Sequence, residues 1–210
     1  MLQGSDEWHL ARIGKLTASR CHDAVARTKN GYSTSRYRLM DELVNERLTG
    51  QRQVIKQTAA MQWGLETEPL ARQAYEHLLG VDVYETGSVP HPLIEESSAS
   101  PDGLVGDDGL IEIKCPNTAT MVSTVIKGEI PENYKTQMMW QLACTRRNWC
   151  DFVMYDPRLP EKRNIWIKTF EPTREEIELL ELEVIDFLQE TRARVRSYEE
   201  SIDANFSLHR

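Results

Sequence analysis

The stretch "SPDGLVGDDGLIEIKCP", Ser100 to Pro116, decides how the rest of the chain is read. Two apolar runs flank Asp108-Gly109, a strong hairpin turn signal. Along an extended strand alternate side chains point to opposite faces, so Ile111 and Ile113 face the core while Glu112 and Lys114 share the other face. Charges set among core residues are costly unless paired, hydrated or bound to metal. A hairpin holds its arms about 5 Å apart, which lets Asp102 on the first arm approach Glu112 on the second. Two carboxylates side by side repel unless a cation lies between them, and Mg²⁺ prefers oxygen ligands of this kind. Lys114, one pleat further on, can orient or help deprotonate an attacking water, and its charge also suits a phosphate.

Outward from this hairpin the pattern is mixed. On the N-terminal side, Thr17-Ala18-Ser19 offers an N-cap for a short helix through Ala26, and Asn30-Gly31 marks a loop. Ser33 or Thr34 can cap a second helix with Tyr37, Met40, Leu43, Val44 and Leu48 near helical spacing and Gly50 as its stop. A third helical pattern runs from about Thr58 to Leu79, where Pro69 predicts a kink or a break after Glu68. Then "VDVYET", "SVPH", "SASPDGLV" and "GLIEIKC" read as strands. Thr118 to Lys127 and Glu132 to Arg146 read as helices, "CDFVMYD" and "NIWIKTF" as strands around a Pro157 to Lys162 loop. A long helix from about Thr173 to Ser197 closes the chain, with Ile177, Leu180, Val184 and Leu188 along one stripe.

No repeat, low-complexity tract or linker interrupts this order. The expectation is a single domain over residues 1–210: N-terminal helices 1–80, a sheet with its helices 81–170, and a C-terminal helix 171–210. The fold class is α/β, a mixed sheet with helices packed around it.

Composition narrows the function classes. With 210 residues, 40% hydrophobic and 28% charged, the chain can bury a sizeable core. No apolar run approaches the ~20 residues a membrane span requires, and Met1 to Leu16 lacks the layout of a signal peptide. Cys21, Cys115, Cys144 and Cys150 are few for this length, so a reducing cytoplasm is expected. The net charge of −8 argues against indiscriminate coating of nucleic acid. That average hides an asymmetry: Met1 to Lys56 carries ten Lys/Arg against six Asp/Glu, and Glu171 to Arg210 five against eleven. A basic front and an acidic tail suit a polyanion bound on one face, or simply a solvated acidic helix.

Pro101-Asp102 followed by Glu112-Ile113-Lys114 matches the PD-(D/E)xK signature of metal-dependent nucleases. Around it stand "WHLARIGKLTAS" (Trp8 to Ser19), "WGLETEP" (Trp63 to Pro69), "SPDGL", "LIEIKCP", "YKTQMMWQL" (Tyr134 to Leu142) and "YDPR" (Tyr155 to Arg158). In this order the blocks resemble the lambda-exonuclease-type, or YqaJ-like, viral recombinase family, over roughly Trp8 to Phe170; the terminal helix matches only in kind. The resemblance implies a restriction-endonuclease-like PD-(D/E)xK core with flanking helices. It implies that Asp102, Glu112 and the Ile113 backbone carbonyl ligate metal, that Lys114 positions the attacking water, and that Glu68 completes or bridges a second metal site. The cofactor implied is Mg²⁺, two ions per site, with Mn²⁺ able to substitute.

By the same resemblance Gln137 contacts phosphate or the water, Arg12 and Ser19 hold a terminal 5′-phosphate, and Met61 wedges between terminal bases. The implied activity is Mg²⁺-dependent 5′→3′ digestion of double-stranded DNA, releasing mononucleotides and leaving 3′ single-stranded tails. The implied partners are duplex ends, two further copies in a homotrimer ring, and a single-strand annealing protein, in the cytoplasm of a bacterial host.

Blander readings stand beside these. Taken singly, Asp102 is a turn former before Gly103, and Glu112 with Lys114 a solvated cross-strand pair; Asp107 and Asp108 read as turn residues. Glu66 competes with Glu68 but does not match the family position. Arg12 can be a surface ion pair, Ser19 a helix-start hydroxyl, Gln137 a core-edge amide and Met61 packing. Trp63 and Trp140 read as core. His9, His22, His77, His91 and His209 have no metal-ligand spacing. Arg36, Arg38, Arg52, Lys56, Arg146 and Arg147 are candidates for duplex phosphates. Cys144 and Cys150 lack the close spacing of an iron–sulfur site, and the Cys115 sulfur should point away from Glu112. Two competing functions remain: a PD-(D/E)xK endonuclease, and a non-catalytic DNA-end-binding assembly protein, which the intact Asp102, Glu112 and Lys114 set disfavours.

Overall fold

Side-chain caps start two of the four helices described in the first 80 residues, the first and the last. The computed structural model describes residues 3–53 and 57–208, so Lys56 and His209 lie outside the described residues. A short helix α1 (Asp6–Leu10) starts where the Ser5 side chain accepts the Trp8 amide. Strand β1 (Leu16–Thr17) leads into α2 (Ala18–Val25), and the small hairpin of β2 (Arg27–Thr28) and β3 (Gly31–Tyr32) into α3 (Thr34–Thr49). Ser33 is the N-cap of α3 and Gly50 its left-handed C-cap, as the sequence predicts. The buried face of α3 differs from the expected stripe: Leu39, Met40 and Leu43 are buried, whereas Tyr37 and Leu48 are exposed.

Helix α4 (Ala59–Leu79) begins at Thr58, whose side chain accepts the Met61 amide, and ends at Gly80. It runs through Pro69 as one helix, so of the expected kink or break the break does not occur. Proline removes one helical hydrogen bond at the carbonyl four residues earlier, that of Leu65. Both residues lie on the exposed side, where water can serve that carbonyl.

The central sheet has the order β10-β9-β8-β7-β4. Its strands are β4 (Val83–Tyr84), β7 (Gly103–Val105), β8 (Gly109–Lys114), β9 (Trp149–Tyr155) and β10 (Ile165–Phe170). All neighbours are antiparallel except β8 and β9, which are parallel and joined through α5 (Thr118–Lys127) and α6 (Glu132–Thr145). The stretch "SASPDGLV" divides at Ser100-Pro101-Asp102: β6 (Ser97–Ala99) leaves for a second sheet with β1 and β5 (Val89–Pro90), and β7 stays in the first.

The β7–β8 turn differs from the expected Asp108-Gly109 dipeptide. Val105 pairs with Gly109, so the turn is Gly106-Asp107-Asp108, with Gly106 at φ +52°. Gly109 is already strand, and it is glycine because a Cβ there would collide with the Trp149 ring.

Both faces of the sheet are covered. Ile111, Ile113, Val153 and Tyr155 pack with Ala71 and Tyr75 of α4 on one face. Leu110, Phe152 and Met154 pack on the other face into the larger core, with Trp140 of α6, Leu39 of α3 and Val184 of α7 (Arg174–Leu208). Each such side chain contributes roughly 1.5–3 kcal/mol. The predicted stripe of α7, Ile177, Leu180, Val184 and Leu188, is buried there, and the helix continues eleven residues beyond the expected end at Ser197.

Arg36 is fully buried among these helices, donating to the Ala24 carbonyl and to Glu190. Arg147 is spent on the Gly106 and Gly109 carbonyls. These two are structural rather than phosphate contacts; Arg38, Arg52 and Arg146 remain exposed. Trp140 is core, as expected, whereas Trp63 is only partly buried, beneath the Arg158 guanidinium. No described helix is long and apolar enough to cross a membrane.

Candidate active site

Strand parity places the chemistry. Gly103 pairs with Ile111, so Asp102 stands opposite Glu112 at the end of the hairpin. The Ile113 amide donates to Asp102 Oδ2 at 2.7 Å. Glu112 is fully buried, which removes its reading as a solvated cross-strand pair. Its carboxylate is held by three donors. Lys114 Nζ pairs with Oε1, Gln137 Nε2 donates to Oε1 at 2.6 Å, and Gln141 Nε2 donates to Oε2 at 2.5 Å. A buried carboxylate tolerates its environment only with such donors.

Gln137 and Gln141 are one helical turn apart on α6, so both face β8. Gln141 was not singled out in the sequence; its i+4 spacing from Gln137 is the signal that could have found it. Its own Oε1 is buried without a hydrogen-bond partner, a loss of about 1–3 kcal/mol.

Glu68 reaches the site from α4. Arg72, one turn later, donates to it at 3.1 Å and also pairs with Glu85. Glu66 instead accepts a hydrogen bond from Gln62 on the exposed side of the helix.

The electrostatics show an excess of negative charge. Burial first, and Glu112 second, push the Asp102 carboxyl well above the usual aspartate range. Burial also raises Glu68, with Arg72 opposing and Glu112 adding to the rise. Burial alone would lower Lys114, but Glu112 and Asp102 outweigh it and hold the ammonium above the ordinary lysine range.

Such a corner fits a hard cation. Among the described residues no three His, Cys, Asp or Glu side chains close on one point. The donor set is two facing carboxylates, with Glu68 at one remove under Arg72. Mg²⁺ is held by this kind of set, one or two carboxylates with the remaining positions left to water and phosphate, and the raised Asp102 carboxyl marks a charge that a cation would relieve.

Asp102, Glu112, Lys114 and Gln137 line one cleft of about 190 Å³ together with Trp8, Arg12, Ser19 and Ser100. Arg12 lies 3.9 Å over the Trp8 ring and approaches Ser100 Oγ at 3.5 Å. Burial, then the neighbouring Arg52, lowers it to about 10, so it stays cationic at neutral pH. Ser19 sits in the first turn of α2, 3.4 Å from the Thr17 hydroxyl. Trp8, which donates to Ser100 at 3.0 Å, and Ser100 itself line the cleft without having been candidates in the sequence.

Met61 lies apart from this cleft. Half exposed, it lines an adjoining groove of about 740 Å³ with Leu65, Glu68 and Arg72, and Asp102 borders both spaces. Asp107 and Asp108 are turn residues.

The "YDPR" block is structural. Asp156 accepts from Thr118 at 2.5 Å and from Arg158 at 2.7 Å, and Arg158 also donates to the Pro116 carbonyl, fastening the end of β9 to the loop after Lys114. His91 stacks on Trp140 and hydrogen bonds Glu181, away from the cleft. All four cysteines are free; Cys115 packs on the Ile113 side of the sheet, and its thiol is pushed up to about 12 by burial and then by Glu68.

The chain is similar to known proteins in sequence and fold. A family model described as the YqaJ-like viral recombinase domain matches residues 7–148. The crystal structure of an alkaline exonuclease (LHK-Exo) from Laribacter hongkongensis superposes with a TM-score of 0.89 at 44% identity, over 95% of this chain and 99% of that one. The complex of LHK-Exo with dAMP gives the same values. A phage-related exonuclease from Haemophilus somnus 129PT shares the fold, with a TM-score of 0.69 at 14% identity over 88% and 96% of the two chains. No curated protein matches the chain significantly.

Proposed function

The chain belongs to the YqaJ-like viral recombinase domain family, and from that premise we propose that it is a Mg²⁺-dependent 5′→3′ exonuclease acting on double-stranded DNA ends. A DNA-cleaving hydrolase is what the family and the alkaline exonuclease likeness support directly; metal, direction and product go beyond them. The observation that carries it is the single cleft shared by Asp102, Glu112, Lys114, Gln137, Arg12 and Ser19.

Asp102, Glu112, the Ile113 carbonyl and Glu68 would hold Mg²⁺, two ions in the full complement and replaceable by Mn²⁺. When bound, these ions supply charge stabilisation at the scissile phosphate. The chain's own residues do the rest. Lys114, kept cationic by Glu112 and Asp102, orients the attacking water and meets negative charge developing on the phosphoryl oxygens. Gln137 turns its amide from Glu112 toward the phosphate or the water. Arg12 and Ser19 grip the terminal 5′-phosphate, which sets the first phosphodiester against the carboxylates. Water adds to phosphorus, the P–O3′ bond breaks, and the 3′-oxygen leaves with a proton. One 5′-mononucleotide departs, and the shortened strand again ends in a 5′-phosphate, ready for the next cycle.

Met61 wedges the terminal base pair from the adjoining groove. The working form is a homotrimer ring around the duplex, and the 3′ tails pass to a single-strand annealing protein.

The deciding assay digests linear duplexes that differ only in 5′-phosphorylation, beside a closed circle, with products resolved by length. The 5′-phosphorylated linear duplex should shorten to mononucleotides fastest while the circle survives. Circles cut as readily would make the protein an endonuclease; DNA bound but never cut with Mg²⁺ or Mn²⁺ would make it an end-binding assembly protein.

A further inference from the structure

The two oxygens of Glu112 face different surroundings. Oε1 meets Lys114 and Gln137, both of which line the cleft with Glu112 itself. Oε2 meets Gln141, which is fully buried and lies behind the carboxylate, outside the cleft lining. Gln141 therefore cannot touch substrate.

Its burial is an unusual one. The carbonyl Oε1 of Gln141 has no partner among the described residues, in a stretch of α6 whose flanking residues Trp140 and Leu142 are core. An amide with an orphaned acceptor is tolerated where its donor is needed, and the hydrogen bond its nitrogen makes among the described residues goes to Glu112. Rotating the amide would bring its oxygen against a carboxylate oxygen, so only one orientation is tolerated. Gln137 differs: it reaches the cleft, and its bond to Oε1 must loosen when cation or phosphate arrives.

We infer that Gln141 is the positioning residue of the Glu112 carboxylate: it pins Oε2 to α6 and so fixes Oε1 as the oxygen presented to the cation. This rests on the metal-dependent reading of the site. One amide that exchanges with ligand and one that does not would give the carboxylate a fixed hinge. Without it the group can rotate about its last bond and lose the one-oxygen presentation that a hydrated Mg²⁺ requires.

The test uses the full chain and Mn²⁺ alone as probe. Titration calorimetry on the wild type, with Glu112→Ala as the blank, establishes that an ion binds this corner. Gln141→Met keeps the length and removes the donor; Gln141→Asn withdraws the amide by one methylene and serves if the methionine variant does not fold. Either folded variant should bind Mn²⁺ roughly 10–100-fold more weakly, the scale for losing a partner of a metal ligand. Turnover should fall while KM for duplex DNA is unchanged, and added Mg²⁺ should recover part of the loss. Wild-type affinity and turnover in both variants would overturn the inference while leaving the metal site intact. A wild type that binds no Mn²⁺ would overturn the site itself and this inference with it.

Discussion

Asp102 accepts the backbone amide of Ile113 at 2.7 Å across the β7–β8 hairpin. The contact ties the carboxylate to the strand that carries Glu112, so the pair is brought together by main chain rather than by flexible side chains. It also separates two roles of one residue. Asp102→Asn keeps an oxygen for the Ile113 amide but loses the charge. Cleavage should fall by about 10²-fold or more, the scale of removing one preorganised electrostatic group. In EDTA the variant should melt above the wild type, because a buried like-charge pair has gone. A lower melting temperature in EDTA would mean that the carboxylate is stabilising in its own right.

The same pair predicts how stability depends on pH. The Asp102 and Glu68 carboxyls are raised, by burial first and then, for Asp102, by Glu112. A carboxyl with a raised folded-state pKa stabilises the fold fully below its unfolded value of about 4 and loses that contribution as pH rises through the folded value. The melting temperature in EDTA should therefore decline from weakly acid to neutral pH more steeply in the wild type than in Asp102→Asn. Under the proposed reading Mg²⁺ binds the folded form alone, so adding it should flatten the wild-type curve. Parallel curves for the two proteins would show that Asp102 titrates normally.

Much of this corner was legible in the sequence because strand parity is rigid. Once "GLIEIK" is a strand, Glu112 and Lys114 must share a face and Asp102 must stand near them. What escaped were features fixed by partners far along the chain. Gly109 reads as a turn residue until Trp149, forty positions on, is seen filling the space of its missing side chain. Arg36 reads as a surface cation until Glu190 arrives from α7. Gln141 shows only its one-turn spacing from Gln137, and an amide in a helix is as often solvated; its contact with Glu112 is what gives it meaning. Pro69 predicts a kink or a break by local rules, but on the exposed side of α4 water can serve the freed Leu65 carbonyl and the helix runs on.

Gly109→Ala separates packing from turn formation. Were Gly109 a turn residue of the expected Asp-Gly type, alanine would disturb only the loop. Because its Cβ would enter the Trp149 ring, overpacking should cost about 1–3 kcal/mol, read as a lower urea midpoint with an unchanged slope. Trp149→Leu should recover part of that loss when combined with Gly109→Ala and not otherwise. Independent, additive effects would place the strain elsewhere.

Lys114→Met keeps the aliphatic stem and removes the ammonium beside Glu112. Turnover should drop by roughly 10²–10³-fold, with duplex binding in Ca²⁺ retained as measured by fluorescence anisotropy. Glu112 then loses one of its three donors, so the variant should also melt somewhat lower in EDTA. Retained cleavage would remove the lysine from the chemistry.

Arg12 is the test of direction. Stacked on Trp8 and facing Ser100 inside the cleft, its guanidinium has the fork geometry that a terminal phosphate requires. Arg12→Gln keeps a polar group but not the charge, and it should raise KM for 5′-phosphorylated duplex while leaving the slow digestion of 5′-hydroxyl duplex nearly unchanged. The preference between the two substrates should shrink by roughly tenfold or more, the difference a charge-assisted pair of about 1.5–3 kcal/mol makes. Because burial and Arg52 lower Arg12 to about 10, the cation persists through the neutral and mildly alkaline range, and the wild-type preference should fade only as pH rises through that value. A preference that survives Arg12→Gln would move the end-recognition site out of this cleft, and with it the physical basis for a 5′→3′ direction.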